Sequence, residues 1–198
     1  DLDHFERIEP NARSNHGWTA FMLSCYHGHK DVVQLLLDHS ERIDLNVRNN
    51  KGGTAFIWAC ANGHKDVVQL LLDSNIELNA RANFGRTAFM SACFSGHKDV
   101  VQLLLDHSER IELNARSNNG GTAFMFACEC GRKDVVQLLL DYSNRNIDFN
   151  VRNSDGETAF MLACYEGHKD IVKLLLEYSD FIDISGYVDV QISFIYNQ

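Results

Sequence analysis

Gly52-Gly53-Thr54-Ala55-Phe56-Ile57-Trp58-Ala59-Cys60-Ala61-Asn62-Gly63-His64-Lys65-Asp66-Val67-Val68-Gln69-Leu70-Leu71-Leu72 holds in one line the plan of the chain. The two glycines, preceded by Asn50 and Lys51, make a turn. Thr54 is a helix N-cap, and Phe56, Ile57, Ala59 and Cys60 follow with helical spacing. Gly63 ends that helix in a left-handed cap. Asp66 sits in the first turn of a second helix, where a carboxylate meets the positive end of the dipole. Val67, Val68 and Leu70–Leu72 make an apolar stripe wide enough for a helix packed between neighbours. Asn75 is read as a left-handed stop, and Ile76–Arg81 as an extended link to the next turn. The same line returns with its threonine at Thr19, Thr54, Thr87, Thr122 and Thr158, in steps of 35, 33, 35 and 36 residues. A period of this size means one supersecondary unit stacked on copies of itself, because a single unit cannot bury its own apolar face.

The run Gly52–Leu71, with Glu77-Leu78-Asn79-Ala80 in the following loop, resembles the ankyrin repeat family, and the likeness extends over about residues 1–184. The resemblance implies an all-α ankyrin-type repeat solenoid of helix-turn-helix units with protruding β-hairpin loops. The units are expected at 14–48, 49–81, 82–116, 117–152 and 153–184. Residues 1–13 match the end of a truncated preceding repeat, and 185–198 are expected to be a C-terminal tail or degenerate cap over the last helix. The chain begins at Asp1 without methionine and reads as a piece of something longer. Three departures from the family pattern stand out. Alanine (Ala20, Ala55, Ala88, Ala123, Ala159) replaces the proline after the threonine. Methionine or isoleucine (Met22, Ile57, Met90, Met125, Met161) replaces the histidine that bonds to it. Extra residues enter after the second helix at 40–43, 108–111 and 143–147.

Of 198 residues, 45% are hydrophobic and the net charge is −9, so a basic nucleic-acid or anionic-membrane surface is not expected. No stretch of about 18 apolar residues offers a transmembrane helix. Five cysteines share one phase of the repeat (Cys25, Cys60, Cys93, Cys128, Cys164). Stacked helices hold them too far apart for disulfides, which points to free thiols in a reducing, intracellular compartment, cytoplasmic or nuclear. Cys130 stands outside that phase and is the one thiol read as reactive. His29, His64, His97 and His168 recur at another phase, where Arg132 takes the fourth place. Their separation along a stack is wrong for a shared metal ion, so they are expected to be structural ties. Arg13, Arg48, Arg81, Arg116 and Arg152 form a further ladder, expected to pair with the neighbouring acids Glu9, Asp44, Glu77, Glu112 and Asp148. No phosphate loop, nucleophile elbow or paired catalytic carboxylates occur, so neither enzyme activity nor a cofactor is expected.

Positions that differ between units are not dictated by stacking. In the ankyrin family those at the turn tips and outer first-helix positions line a concave groove that grips partners. The resemblance therefore implies a partner-binding set of Trp18, Tyr26, His27, Lys51, Trp58, Phe84, Arg86, Phe94, Phe126, Glu129, Asp155, Tyr165 and Glu166. Trp18, Phe84 and Phe94 are expected at the surface, while Trp58 and Phe126 fit either the surface or the packing between first helices. Charge along this set drifts from His16, His27, Lys51 and Arg86 to Glu129, Asp155, Glu157 and Glu166. The expected function is non-catalytic binding of another protein or peptide segment by a monomer, for which end-to-end stacking is also conceivable. A spacer or spring segment of a longer array is the alternative. The family's habit of loop-asparagine hydroxylation falls best on Asn79.

Overall fold

The computed structural model describes residues 9–142 and 147–184. Among the described residues ten α-helices follow one another in pairs: α1 (Ala20–His27) and α2 (Lys30–Leu37), α3 (Ala55–Ala61) and α4 (Lys65–Leu72), α5 (Ala88–Ser95) and α6 (Lys98–Asp106), α7 (Ala123–Glu129) and α8 (Lys133–Asp141), α9 (Ala159–Tyr165) and α10 (Lys169–Glu177). The first helices of successive pairs pack in one row and the second helices in another, with each pair joined across the rows. Helices this short do not persist alone in water, so packing supplies what length does not.

Each first helix starts where a threonine leaves extended backbone and caps it. Thr19 accepts from the Met22 amide at 3.2 Å, Thr54 from Ile57 at 3.4 Å, and Thr87, Thr122 and Thr158 from Met90, Met125 and Met161 at 3.3 Å. The capping hydroxyl therefore survives without the family's histidine. Glycine ends the helix: Gly28, Gly63, Gly96, Gly131 and Gly167 all lie at positive φ, as the left-handed stop requires. The core is a continuous strip in which Phe21, Phe56, Phe89, Phe124 and Phe160 recur with the stacked cysteines and the leucines of the second helices.

The protruding loops are turns, not strands, among the described residues. Each closes on itself by two backbone bonds, as where the Asn49 amide donates to the Gly53 carbonyl at 3.1 Å and the Gly52 amide to the Asn49 carbonyl at 2.8 Å. Each also reaches the next tip by one, as where Asn83 donates to Lys51 at 3.0 Å. One bond per neighbour makes a chain of linked tips and no ladder. Asn75 is not a left-handed stop. α4 ends with Asp73 still in right-handed geometry, and Ser74 closes the last turn by donating its hydroxyl to the Leu70 carbonyl at 2.8 Å. After α10, Ile182 is buried and Ile184 packs on the core. The tail or cap expected at 185–198 lies outside the described residues, as do residues 1–8 and 143–146.

Candidate partner-binding groove

Three ladders of polar side chains hold the tips and helix turns at fixed spacing. The first is the histidine ladder. His64 donates Nε2–H to the Tyr26 carbonyl at 2.8 Å, His97 to Ala61 at 3.0 Å and His168 to Glu129 at 2.8 Å, while Arg132 donates Nε–H to Phe94 at 2.9 Å. Each thus ties the start of one second helix to the end of the first helix of the preceding unit. The ring lies over that helix's terminal glycine: a Cβ added to Gly63 would come within 2.5 Å of the His97 ring.

The second is the arginine ladder, and here the partners differ from those expected. Arg13 donates to the Arg48 carbonyl and Arg81 to that of Arg116, both at 2.6 Å. Arg48 and Arg116 do the same to Arg81 and Arg152. The carboxylates they meet belong to the following unit: Arg48 with Glu77 at 3.0 Å, Arg81 with Glu112 at 3.8 Å, and Arg152 with Asp183 at 2.9 Å. A guanidinium has reach enough to span one repeat, and the next unit's carbonyl fixes it there.

The third ladder, of loop asparagines, is one that the sequence reading did not find. Asn79 accepts from the Glu112 amide and donates to the Arg110 carbonyl, each at 2.9 Å. Asn11 and Asn150 make the same two bonds to the loop that follows, and Asn46 and Asn114 accept the equivalent amide. Recurrence of asparagine in every loop was the available signal.

On this frame the variable residues divide into an aromatic block, a pair of clefts and an acidic end. In the first two units Trp18, Tyr26 and Trp58 pack together, Tyr26 edge-on to both indoles and the two indoles tilted. Trp18 lies 5.1 Å from Trp58 and 5.3 Å from Tyr26, centroid to centroid. All three are half-buried, and His27 beside Tyr26 is exposed. The expectation that Trp18 projects is corrected: each ring covers its neighbour. Phe94 is likewise half-buried, set edge-on to Phe126 at 6.3 Å, and Phe126 is buried between first helices. The Arg86 guanidinium lies 4.3 Å from the Phe94 ring centre and 4.7 Å from that of Phe126, a cation–π contact with both. Phe126 therefore supports Arg86 and is no exposed anchor.

Phe84 is the anchor that does project, at 78% exposure. Its backbone lies at φ 65, ψ 11, where a side chain is disfavoured, and it is the one non-glycine residue at positive φ among those described. Phe84 and Arg86 together line two clefts. One, of about 480 Å³, is shared with Lys51, Trp58 and Phe94. The other, of about 680 Å³, lies toward Asn118, Asn119 and Phe126. At the far end Asp155, Tyr165 and Glu166 are exposed, Tyr165 at 75%, and Glu129 is half-buried. The fifth unit's Tyr165 and Glu166 line neither cleft, so the set is not one continuous pocket.

All six thiols are raised toward their protonated form. Burial pushes Cys25 up to about 12 and raises Cys60, Cys93 and Cys128 well above the usual thiol range. Cys130, the exception in phase, is also raised, by partial burial and then by Glu129, so it is less thiolate-like than a free cysteine. Among the described residues no group of His, Cys, Asp and Glu is placed to hold a metal ion, and no helix is long and apolar enough to cross a membrane.

Paired short helices, threonine caps, glycine stops and linked turn tips define a helical repeat solenoid. A family model for ankyrin repeats, described as three copies, matches residues 2–82, 76–153 and 143–189, and the chain belongs to the ankyrin repeat family. No curated protein matches it. Ankyrin repeats are in general protein–protein interaction modules and in general not enzymes.

Proposed function

We propose that the face built from the turn tips and first helices binds a segment of another protein, without catalysis. The observation that carries this reading is Phe84: a large aromatic, 78% exposed and held at positive φ, standing between two clefts on a rigid frame. Stacking does not require it, since the other four units put His16, Lys51, Asn119 and Asp155 at the same place. Exposed aromatics on a preorganised frame are the usual anchors of an interface, because little is lost in ordering them. Strained backbone of this kind collects at functional sites. Tyr165, with Asp155 and Glu166, offers a second contact two units away. We further propose that the protein acts as a monomer in a reducing compartment, which the unpaired, buried Cys25, Cys60, Cys93 and Cys128 support.

The test is capture of partners from extract by the wild-type chain and by a Phe84→Ser/Tyr165→Ser variant, with circular dichroism to confirm that both are folded. Loss of the same specific bands from the variant is expected; identical captures would sink the reading and favour a spacer. The charge drift gives a second arm. Reversal of Glu129, Glu157 and Glu166 to lysine is expected to weaken partner binding and alter its salt dependence, since those carboxylates would set the direction in which the partner lies.

A further inference from the structure

Within the groove, the second unit lacks an acceptor that the fifth unit supplies for itself. Asn49 and Asn153 occupy the same place in their turns. Asn49 Oδ1 accepts from the amides of Lys51 at 3.0 Å and Gly53 at 3.1 Å. Asn153 Oδ1 accepts from Asp155 at 3.0 Å and Glu157 at 2.8 Å. The amide nitrogens then part company. Asn153 Nδ2 donates to the Glu157 carboxylate at 2.8 Å. In the second unit Gly53 stands where Glu157 would, and among the described residues Asn49 Nδ2 has no acceptor although Asn49 is only 5% exposed. Trp58 Nε1 is a second buried donor without an acceptor among them. It lies over the same glycine, 2.5 Å from where a Gly53 Cβ would be. Two orphan donors beside one glycine are costly, and the fifth unit, with Leu162 in place of Trp58, shows that a carboxylate satisfies the asparagine donor.

The cleft beside them has matching charge. Among the described residues Lys51 and Arg86 line it and no Asp or Glu does, in a chain whose net charge is −9. The larger neighbouring cleft also has Arg86 and no acid. Among the described residues Arg86 meets no carboxylate; its guanidinium is spread over Phe94 and Phe126. The apolar walls are Trp58, Phe84 and Phe94.

We propose that the cleft between the second and third units receives a peptide segment carrying an aspartate or glutamate next to a bulky apolar side chain. The apolar group packs between Trp58, Phe84 and Phe94. The carboxylate is drawn in by Lys51 and Arg86 and accepts from Trp58 Nε1 and Asn49 Nδ2 as the indole tilts off Gly53. This rests on the reading of the groove as a partner-binding face and names the chemistry of what enters it. It also orients the segment, with its acidic end over the basic half of the groove.

The probe is a phage-displayed library of random dodecapeptides panned on the wild-type chain, with enriched sequences then synthesised. Enrichment of Asp or Glu within two positions of Leu, Phe or Trp is expected. Replacing that acid by its amide in the peptide is expected to weaken binding at least tenfold, and this arm does not depend on how any protein variant folds. In the protein, Phe84→Asn and Arg86→Gln are each expected to weaken it several-fold, and raised salt to weaken it further. The chain has two tryptophans, so Trp18→Phe leaves Trp58 as sole indole, whose emission is expected to shift on binding. Neutral or basic peptides that bind and are lost with Phe84→Asn would overturn the acidic segment and leave the groove reading standing. Peptides indifferent to Phe84, Arg86 and Tyr165, or no enrichment at all, would overturn both.

Discussion

The octapeptide Lys-Asp-Val-Val-Gln-Leu-Leu-Leu occurs four times, at 30–37, 65–72, 98–105 and 133–140, and forms a helix each time. Its surroundings are not the same. In α2 only Val33 is buried, and Val32 and Leu35 are 45% and 57% exposed. In α6 both valines and all three leucines are buried. One sequence is thus half-exposed in the first helix pair and almost wholly enclosed in the third. Local sequence decides that a helix forms; the neighbour on either side decides what the helix contributes. Stability in such an array is a sum over units and their interfaces, so equivalent residues need not be energetically equivalent.

The largest effect that sharpens this contrast is alkaline. Cys25, Cys60, Cys93 and Cys128 all have their thiols raised by burial, so the unfolded state loses protons first as pH climbs past 9. Folded pKa values above the unfolded ones mean that stability is intact below pH 9 and declines above it, by about 1.4 kcal/mol per thiol per pH unit. Four thiols make a loss of roughly 5 kcal/mol between pH 9 and 10, enough to unfold a domain of ordinary stability. Urea titrations across that range check it; a flat midpoint refutes it. In the same samples at pH 8, a maleimide should label half-buried Cys130 and Cys164 from the native state and the other four only on unfolding.

Next comes the direct comparison of one position in two settings. Leu103 in α6 is 8% exposed, and its counterpart Leu35 in α2 is 57% exposed. Leu103→Ala is expected to cost about 2–3 kcal/mol and Leu35→Ala no more than about 0.5 kcal/mol. Equal losses in chemical denaturation would break the claim that neighbours set the energetics.

The same distinction explains what was legible in the sequence. Helix pairs, threonine caps and glycine stops could be read because each is a local pattern repeated five times, at Thr19, Thr54, Thr87, Thr122 and Thr158. The arginine partners could not, because which carboxylate Arg48 meets depends on how far the stack advances per unit; Glu77 of the next loop is nearer than Asp44 of its own. Asn75 was misread because asparagine is merely permitted in a left-handed stop, and Ser74 closed the turn first. Phe84 was legible as an outlier in its column of tips. Phe94 looked like an exposed candidate, while Phe126 fitted either the surface or the packing between first helices, and the structure takes the second. Nothing in the sequence showed that the Arg86 guanidinium would lie against both rings.

Glycines at the helix stops carry the comparison to the other end of the array. Gly63 and Gly167 have nearly the same backbone, φ 76 and φ 73. A Cβ at Gly63 would strike the His97 ring at 2.5 Å, whereas at Gly167 nothing among the described residues lies within 4 Å. Gly167→Ala should cost only the left-handed strain, about 1–2 kcal/mol. Gly63→Ala should cost that and about 1 kcal/mol more as His97 loses its bond to the Ala61 carbonyl. A His97→Ala background removes the difference if the ring is its cause, and thermal melts of the four variants decide it.

The smallest effect has the opposite sign. Phe84 adopts φ 65 at a place where stacking asks for no aromatic, so relieving it should stabilise the fold. Asparagine tolerates left-handed backbone, and Phe84→Asn is expected to raise stability by up to about 1 kcal/mol, a rise of a few degrees in Tm. Lys51→Asn at the equivalent tip, where φ is not positive, should leave Tm unchanged. Stabilisation at one tip and not at the other would mean that the third unit holds its phenylalanine against the preference of its own backbone. That is the pattern of a residue kept for what it touches outside the chain. A drop in Tm for Phe84→Asn would instead make the ring part of the packing, and the first contact of the proposed interface would be lost.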